Sequence, residues 1–427
     1  MKILLIIDDY LPGSIKVGAK MMHELAVEFV ARGDQVTVIT PDHRVSNRPQ
    51  MTTLDGVTVC RFRSGEIKNV SKVKRAINET LLSYNAWQAY KKYFKNNRHD
   101  LIIYYSPSIF WGGLVMKLKK LWGAPSYLIL RDFFPQWVID NGILSARSPI
   151  TKYFRFFEWL SYRAADTIAI QSPKNREWFA KTAQTGKPLD VLYNWAANEP
   201  VSLSGSHYRE AWGLKDKVVY FYGGNIGHAQ DMMNIVRLAK NMRAEARAYF
   251  VLVGEGDEVG LVRNSIQTEG LINISLMPAV SQGEFKQMLA EFDIGLFTLH
   301  RDHTTHNFPG KLLGYMVQHM PILGSINSDN DLKPVIENAG AGLITVNGDD
   351  EGLLNNALKL LHDEKSRIQM GENANKLLNE QFSVESAVDK ITAFAVGHGV
   401  NGISNSEAES AKARSHHATS KLIAKNG

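Results

Sequence analysis

The run Asn307-Phe308-Pro309-Gly310-Lys311-Leu312-Leu313-Gly314-Tyr315-Met316 joins a Pro-Gly turn to an apolar-faced helix, with a lysine just inside its mouth. Gln318-His319-Met320-Pro321-Ile322-Leu323-Gly324-Ser325 follows and reads as the entry into a buried strand. Such a mouth offers free backbone N–H groups and the positive end of the helix dipole, and Lys311 adds a full charge. The chemistry is that of an anion cradle, suited to a diphosphate. Two glycine loops repeat the theme: Gly223-Gly224-Asn225-Ile226-Gly227-His228-Ala229-Gln230-Asp231 after the apolar run Val218 to Tyr222, and Asp8-Asp9-Tyr10-Leu11-Pro12-Gly13-Ser14-Ile15-Lys16-Val17-Gly18-Ala19 after Ile3 to Ile7. Glycine there lets a ligand approach the backbone closely. The candidate anion-binding positions are therefore Gly18, Gly223, Gly224, Asn225, Gly227, Pro309, Gly310, Lys311 and Leu312, with Arg301 as a bidentate cation in the loop after Ile294 to Thr298. Arg131-Asp132 follows Ser126 to Leu130. A carboxylate there can orient or deprotonate a hydroxyl, its pKa held down by Arg131 or raised by burial against Phe133, Phe134 and Trp137; a structural Arg/Asp pair is the competing reading.

The elements that must carry these residues are short β-rich apolar runs alternating with longer helical patterns, which predicts parallel sheets wound by helices. Strands are predicted at Ile3 to Ile7, Gln35 to Thr40, Val57 to Phe62, Leu101 to Tyr105, Ser126 to Leu130, Thr167 to Ile170 and Val191 to Tyr193. A polar stretch over 196–217 reads as a linker, after which strands restart at Val218 to Tyr222, Ala248 to Val253, Ile274 to Met277, Ile294 to Thr298, Pro321 to Gly324 and Gly342 to Thr345. Two Rossmann-like halves are expected, 1–195 and 218–381, each binding beyond the C-terminal ends of its strands. A helix over 382–397 closes the folded region. Residues 398–427 lack apolar periodicity and are expected to be disordered.

At 427 residues, 44% hydrophobic and 22% charged, the chain can bury two large cores. The single cysteine, Cys60, excludes an intramolecular disulfide and offers no thiol cluster, which fits a reducing compartment. The apolar run Leu4 to Ile7 meets Asp8 and Asp9 too early for a signal peptide, and no stretch reaches the length of a membrane span. Net charge +6 hides an asymmetry: residues 1–200 hold 28 Lys and Arg against 17 Asp and Glu, whereas 201–427 hold 21 against 26. A polyanionic partner is expected for the basic half. His303 and His306 lack a carboxylate or thiol in register, so no metal is expected.

The Gly-Gly-Asn-Ile-Gly loop and the Phe-Pro-Gly-Lys helix mouth resemble the donor-binding segments of family-four glycosyltransferases of the GT-B fold, over residues 1 to about 397. The resemblance implies two Rossmann-like domains facing across a cleft, a nucleotide-sugar donor on the second, an acceptor on the first, a retaining reaction and no metal or other cofactor. It also implies a last helix crossing back to the first domain. Many relatives carry Arg where Asn225 stands and Lys where Gln230 stands; both cations are missing, and Lys311 and Arg301 are the candidates to replace them. The family's paired glutamates fall at His306 and Gly314, neither acidic, which leaves the ribose contact unassigned; Glu255 and Asp257 are the candidates to substitute, with a solvated loop carboxylate the competing and favoured reading for both. Ile6-Ile7-Asp8-Asp9-Tyr10-Leu11-Pro12 with Leu130-Arg131-Asp132-Phe133-Phe134-Pro135-Gln136-Trp137 is most similar to the N-acetyl-L-fucosamine transferases of O-antigen and capsule synthesis. That implies a UDP-sugar donor and an undecaprenyl diphosphate-linked saccharide acceptor, with Asp132 and Lys311 as the catalytic pair. A UDP-sugar 2-epimerase of similar fold and a non-catalytic partner of another transferase are the alternatives.

Cations and aromatics interleave in two predicted helices of the basic half, at Lys72, Arg75, Trp87 and Lys91 and at Lys152, Phe156 and Trp159. That mixture suits a lipid headgroup layer, each cation contributing about 1 kcal/mol near an anionic surface. Two core helices with solvated charged faces are the competing reading, and Leu81, Leu82 and Phe157 are expected in the core. No nucleic-acid reading module is present. The expected location is the cytoplasmic face of the inner membrane, as a peripheral protein.

Overall fold

The computed structural model describes residues 1–14, 16–46, 49–66, 70–140, 142–202, 207–302, 308–328 and 330–400. They form two units, Met1–Leu192 together with the segment from Val384 onward, and Tyr193–Ser383.

The first unit is built on an eight-stranded sheet: β1 (Lys2–Ile6), β2 (Gln35–Pro41), β3 (Gln50–Leu54), β4 (Val57–Phe62), β5 (Leu101–Ser106), β6 (Ser126–Leu130), β7 (Thr167–Ile170) and β8 (Leu189–Val191). The order is β3-β4-β2-β1-β5-β6-β7-β8, parallel except for the β3–β4 hairpin. The order reverses between β1 and β5, so the binding crevice of such a sheet opens beyond those two strand ends. Strands β1, β5 and β6 bury nearly every side chain, which is why they read as continuous apolar runs. Two helices here begin on Ser-Pro. The Ser148 and Ser172 hydroxyls accept from the backbone N–H groups of Thr151 and Asn175, each at 3.2 Å, while Pro149 and Pro173 supply the fixed φ of the first turn. The helix Val384–Gly397 belongs to this unit: Arg32 on the helix Val17–Ala31 pairs with Asp389, and Lys390 donates to the Val191 carbonyl at 2.7 Å.

The second unit carries a six-stranded parallel sheet: β9 (Val218–Gly223), β10 (Ala248–Val253), β11 (Ile274–Met277), β12 (Ile294–Thr298), β13 (Ile322–Ile326) and β14 (Gly342–Val346). Its order, β11-β10-β9-β12-β13-β14, reverses between β9 and β12. The stretch read as a linker over 196–217 is part of this unit. Within it a short helix, His207–Ala211, caps its backbone N–H groups on the Glu291 carboxylate at 2.9 and 3.0 Å, and Arg209 reaches Asp293 at 2.6 Å. The break between units falls between Leu192 and Tyr193. Polar composition suggested a tether, but Arg209 anchors the segment to the unit through Asp293 and the carbonyls of Glu291, Leu214 and Lys217. Among the described residues no helix is long and apolar enough to cross a membrane. The tail expectation over 401–427 lies outside the described residues.

Candidate functional site

On the second unit the two switch-point strands bring the predicted pieces together. Strand β9 ends at Gly223; Lys311, in the first turn of the helix Gly310–Val317, reaches back to it. Its ammonium donates to the Tyr222 hydroxyl at 2.6 Å and sits 3.8 Å from the centre of the Tyr222 ring. The Tyr222 hydroxyl in turn donates to the Asn225 carbonyl at 2.6 Å. A side chain at Gly224 would come within 3.2 Å of the same ammonium, so the glycine's positive φ of 135° and bare Cα both keep this corner open. Burial lowers the Lys311 pKa from its ordinary 10.5 to about 7, and no carboxylate pairs with it among the described residues. A partly buried ammonium without a carboxylate partner can pair with an anion supplied from solution.

The glycine loop differs from the expected cradle. The N–H groups of Gly223, Gly224 and Ile226 are already spent, on the Tyr315 hydroxyl (3.4 Å), the Val253 carbonyl (2.9 Å) and the Glu255 carbonyl (2.8 Å). What the glycines provide is close approach: a Cβ at Gly223 would lie 2.1 Å from Phe285, and one at Gly254 would lie 1.8 Å from the Gly224 carbonyl oxygen. The loop also does not run straight into a helix. A single 3-10 turn, His228–Gln230, and Asp231 at φ 46° intervene before the helix Met232–Asn241. Asn225 and Gln230 hydrogen-bond to each other at 2.6 Å, so a neutral amide pair stands where cations were sought. Gly227 packs against the Asp257 carboxylate.

At the helix mouth Pro309 is the N-cap residue and Gly310 faces open space. Leu312 was expected beside the anion; its side chain is in the core and its N–H returns to the Pro309 carbonyl at 3.1 Å. The first-turn donors left are those of Gly310 and Lys311, which by position have no intrahelical acceptor. Glu255 contributes its carbonyl to the loop and leaves its side chain exposed. Arg301 is exposed. Its neighbour His300 donates its N–H to Ala229 at 2.9 Å, tying the β12 loop to the β9 loop, while Arg301 itself has no described contact with Lys311. His303, His306 and Asn307 lie outside the described residues, and among the described ones no three His, Cys, Asp or Glu form a metal-binding group.

On the first unit, Gly18, Tyr105, Arg131 and Asp132 meet beyond β1, β5 and β6. A side chain at Gly18 would touch the Tyr105 hydroxyl at 3.0 Å, and that hydroxyl accepts from Arg131 at 3.2 Å. Arg131 is thus turned toward Tyr105 and the Met21 sulfur rather than fixed on Asp132. Burial raises the Asp132 carboxyl above its ordinary range, opposed by a hydrogen bond from the Trp137 side chain and by the Arg131 charge. Sequence reasoning missed Asp8, the first residue past Ile7, although its position after β1 was the available signal. Burial pushes its carboxyl up to about 6 against the pull of Lys16. It lines a cavity of about 310 Å³ with Asp9, Tyr10, Thr40, Asp42 and Arg44. Among the described residues, the buried hydroxyls of Thr40 and Ser108, near the ends of β2 and β5, have no hydrogen-bond partner. Buried polar atoms are seldom left so, and a ligand hydroxyl is one way to satisfy them.

The aromatic-cationic face divides. Lys152, Phe156, Trp159 and Arg163 line one exposed face of the helix Pro149–Ala164, with Phe156 53% and Trp159 49% exposed. Trp87 is not on a free surface: it stacks with Phe94 and lies under Lys117 at 4.2 Å. Arg75 is held by Glu79, Lys91 is exposed, and the Lys72 side chain lies outside the described residues. Leu82 is in the core as expected, and Phe157 packs on Phe110, whereas Leu81 is exposed together with Ile77 and Tyr84.

Residues 18–196 match the family model "Glycosyltransferase Family 4", and residues 206–377 match "Glycosyl transferases group 1". The chain is 22% identical over 228 residues to "Probable glycosyltransferase WbjE" of Pseudomonas aeruginosa, an alignment covering 53% of this chain and 57% of that protein. It is 23% identical over 337 residues to "Putative colanic acid biosynthesis glycosyl transferase WcaI" of Escherichia coli strain K12, covering 73% and 80%. Among solved structures, Anabaena Alr3699/HepE in complex with UDP superposes with a TM-score of 0.65 at 16% identity, over 93% of this chain and all of that one. At that identity the likeness is one of fold. With each half matched by its own model and the sheets ordered as described, the chain belongs to the GT-B glycosyltransferases of family 4/group 1.

Proposed function

We propose that this chain transfers a sugar from a nucleotide-sugar donor to a saccharide acceptor in the assembly of a bacterial surface polysaccharide. The observation that carries the reading is the Lys311 ammonium, enclosed against Tyr222 at the β9/β12 switch point and lacking a carboxylate partner among the described residues. As the anomeric bond breaks, negative charge accumulates on the departing diphosphate. A cation and helix-mouth N–H groups already aimed there stabilise that state more than the ground state. We assign the acceptor hydroxyl to the first unit; the support is that Asp8 and Asp132 there are both carboxylates that burial makes more basic. No metal is assigned to the reaction.

The finer assignment is N-acetyl-L-fucosamine from its UDP-linked donor, delivered with retention to an undecaprenyl diphosphate-linked saccharide at the inner face of the inner membrane. Its support is the likeness of the Asp8 and Arg131-Asp132 segments to the fucosamine transferases and the UDP held by the Anabaena neighbour. A thermal-shift panel of UDP-, GDP- and dTDP-sugars, followed by radiolabel transfer to membrane extracts, tests it. A UDP-selective shift and label in the lipid fraction, abolished in Lys311→Ala, are expected. Conversion of donor without acceptor would instead indicate an epimerase. Failure to transfer any of the sugars would leave the non-catalytic alternative.

A further inference from the structure

The first unit holds a groove of about 500 Å³ that the transfer chemistry does not use. It runs between the helix Pro149–Ala164 and the helix Pro173–Ala183, beginning at Phe133, one residue past Asp132. Its walls are aromatic: Phe133 packs on Trp178 with ring centres 5.0 Å apart and on Phe179 at 5.8 Å, and Trp159 stands on the opposite helix. Trp178 remains 38% exposed and Trp159 49%, unusual for side chains of this size. Along the floor runs a polar chain. The Glu158 carboxylate, on a residue 8% exposed, accepts from Arg155 at 2.7 Å and from the Tyr162 hydroxyl at 3.1 Å, and Arg155 also holds the Gln136 amide oxygen. Arg155, Arg163 and Lys187 against Glu158 leave the groove positively charged.

Each simple occupant leaves half of this lining unused. An alkyl or isoprenoid chain would strip water from Arg155, Glu158 and Gln136 and return no hydrogen bond, a costly exchange. A bare phosphate would ignore the aromatic walls and meet the Glu158 carboxylate. A saccharide uses both: the C–H face of a pyranose ring lies flat on Trp or Phe, while its hydroxyls bridge planar carboxylate, guanidinium and amide groups. The surplus of cations adds a preference for a sugar bearing a carboxylate.

We infer that this groove binds a stretch of acidic oligosaccharide. The inference goes beyond the transfer reading and stands without it, because every residue involved is on the first unit.

Isothermal titration calorimetry of the full chain with tetragalacturonate, maltotetraose and vesicles of anionic phospholipid provides the test. Tetragalacturonate is expected to bind and maltotetraose to bind more weakly. Trp178→Ala is expected to weaken tetragalacturonate about tenfold, with vesicle binding unchanged. Lys187→Glu combined with Arg163→Glu is expected to erase the preference for the acidic sugar. All three positions are at least partly exposed, so unchanged circular-dichroism melts should accompany these losses. Saccharide binding should persist in Lys311→Ala, which separates this site from the donor site. Tetragalacturonate binding that ignores Trp178→Ala, equal binding of the neutral sugar, or heat from vesicles alone would overturn the assignment.

Discussion

Lys311 sets a pH dependence whose sign can be worked out. With its pKa near 7 in the free protein, the ammonium is charged below that value and neutral above it. A nucleotide sugar's diphosphate stays ionised across this range, and its arrival restores the proton, so binding takes up a proton above pH 7. Affinity for UDP-sugar is expected to fall by up to about tenfold per pH unit above 7. Calorimetry from pH 6 to 9 should show this slope in the native chain, and weaker binding with no slope in Lys311→Ala. A slope that survives the substitution would move the proton elsewhere. Asp8 and Asp132 are the two candidates for the acceptor proton under the proposed function, and kinetics would separate them. The true base should cost about 10²- to 10⁴-fold in kcat as the Asn variant, with donor affinity intact. If it is Asp8, the acid limb of the rate profile near pH 6 should vanish as well. Lys311 was legible because a turn, a glycine and a lysine fall in one local string. Asp8 is not legible in the same way, because its basicity comes from burial, which the local string does not show. Leu312 and Trp87 were misplaced for the same reason: a helical residue's face is fixed by what packs on it, not by its neighbours in sequence.

At the scale of elements, strands were the most legible feature, since parallel strands covered on both faces must be apolar throughout. The exception explains itself. Strand β3 is antiparallel, lies at the sheet edge and is exposed almost throughout, so it carries no apolar signal. Its only mark is Asp55-Gly56, with φ of 49° and 80°, the left-handed pair that a two-residue hairpin requires. The glycine loops were legible as loops, yet their physical role was not, because spent N–H groups are invisible until β10 sets its carbonyls beside β9. Two substitutions separate packing glycines from ligand glycines. In Gly254→Ala the new methyl would meet a backbone carbonyl at 1.8 Å with no flexible side chain to yield, so about 1–3 kcal/mol of stability should be lost and nucleotide affinity with it. Gly310→Ala meets nothing within 4 Å. Its melting temperature should match the native chain while UDP-sugar binding weakens, because only an incoming diphosphate would feel the added methyl. Equal melting losses in both variants would contradict that division.

Across the whole molecule, composition gave the charge asymmetry but misjudged the segment over 196–217, because polar residues look alike whether they meet water or, as Arg209 does with Asp293, anchor the chain to a folded unit. The asymmetry has a structural counterpart on the first unit. Lys152, Phe156, Trp159 and Arg163 recur at helical spacing on one exposed face, and the hydroxyls of Thr80 and Tyr153 join that helix to the one bearing Ile77. Exposed aromatics buried in a headgroup layer gain from leaving water, and each cation adds about 1 kcal/mol at an anionic surface. The cationic part is screened within about 10 Å at 0.1 M salt, whereas the aromatic part is not. Co-sedimentation with vesicles should therefore show stronger binding to anionic than to zwitterionic membranes, weakening as salt rises without reaching zero. Phe156→Ser with Lys152→Glu removes one contribution of each kind from exposed positions, so the fold should hold while vesicle binding drops at least about tenfold. If the double variant binds like the native chain, Phe156 and Lys152 are not part of the contact, and the basic half owes its charge to another polyanion.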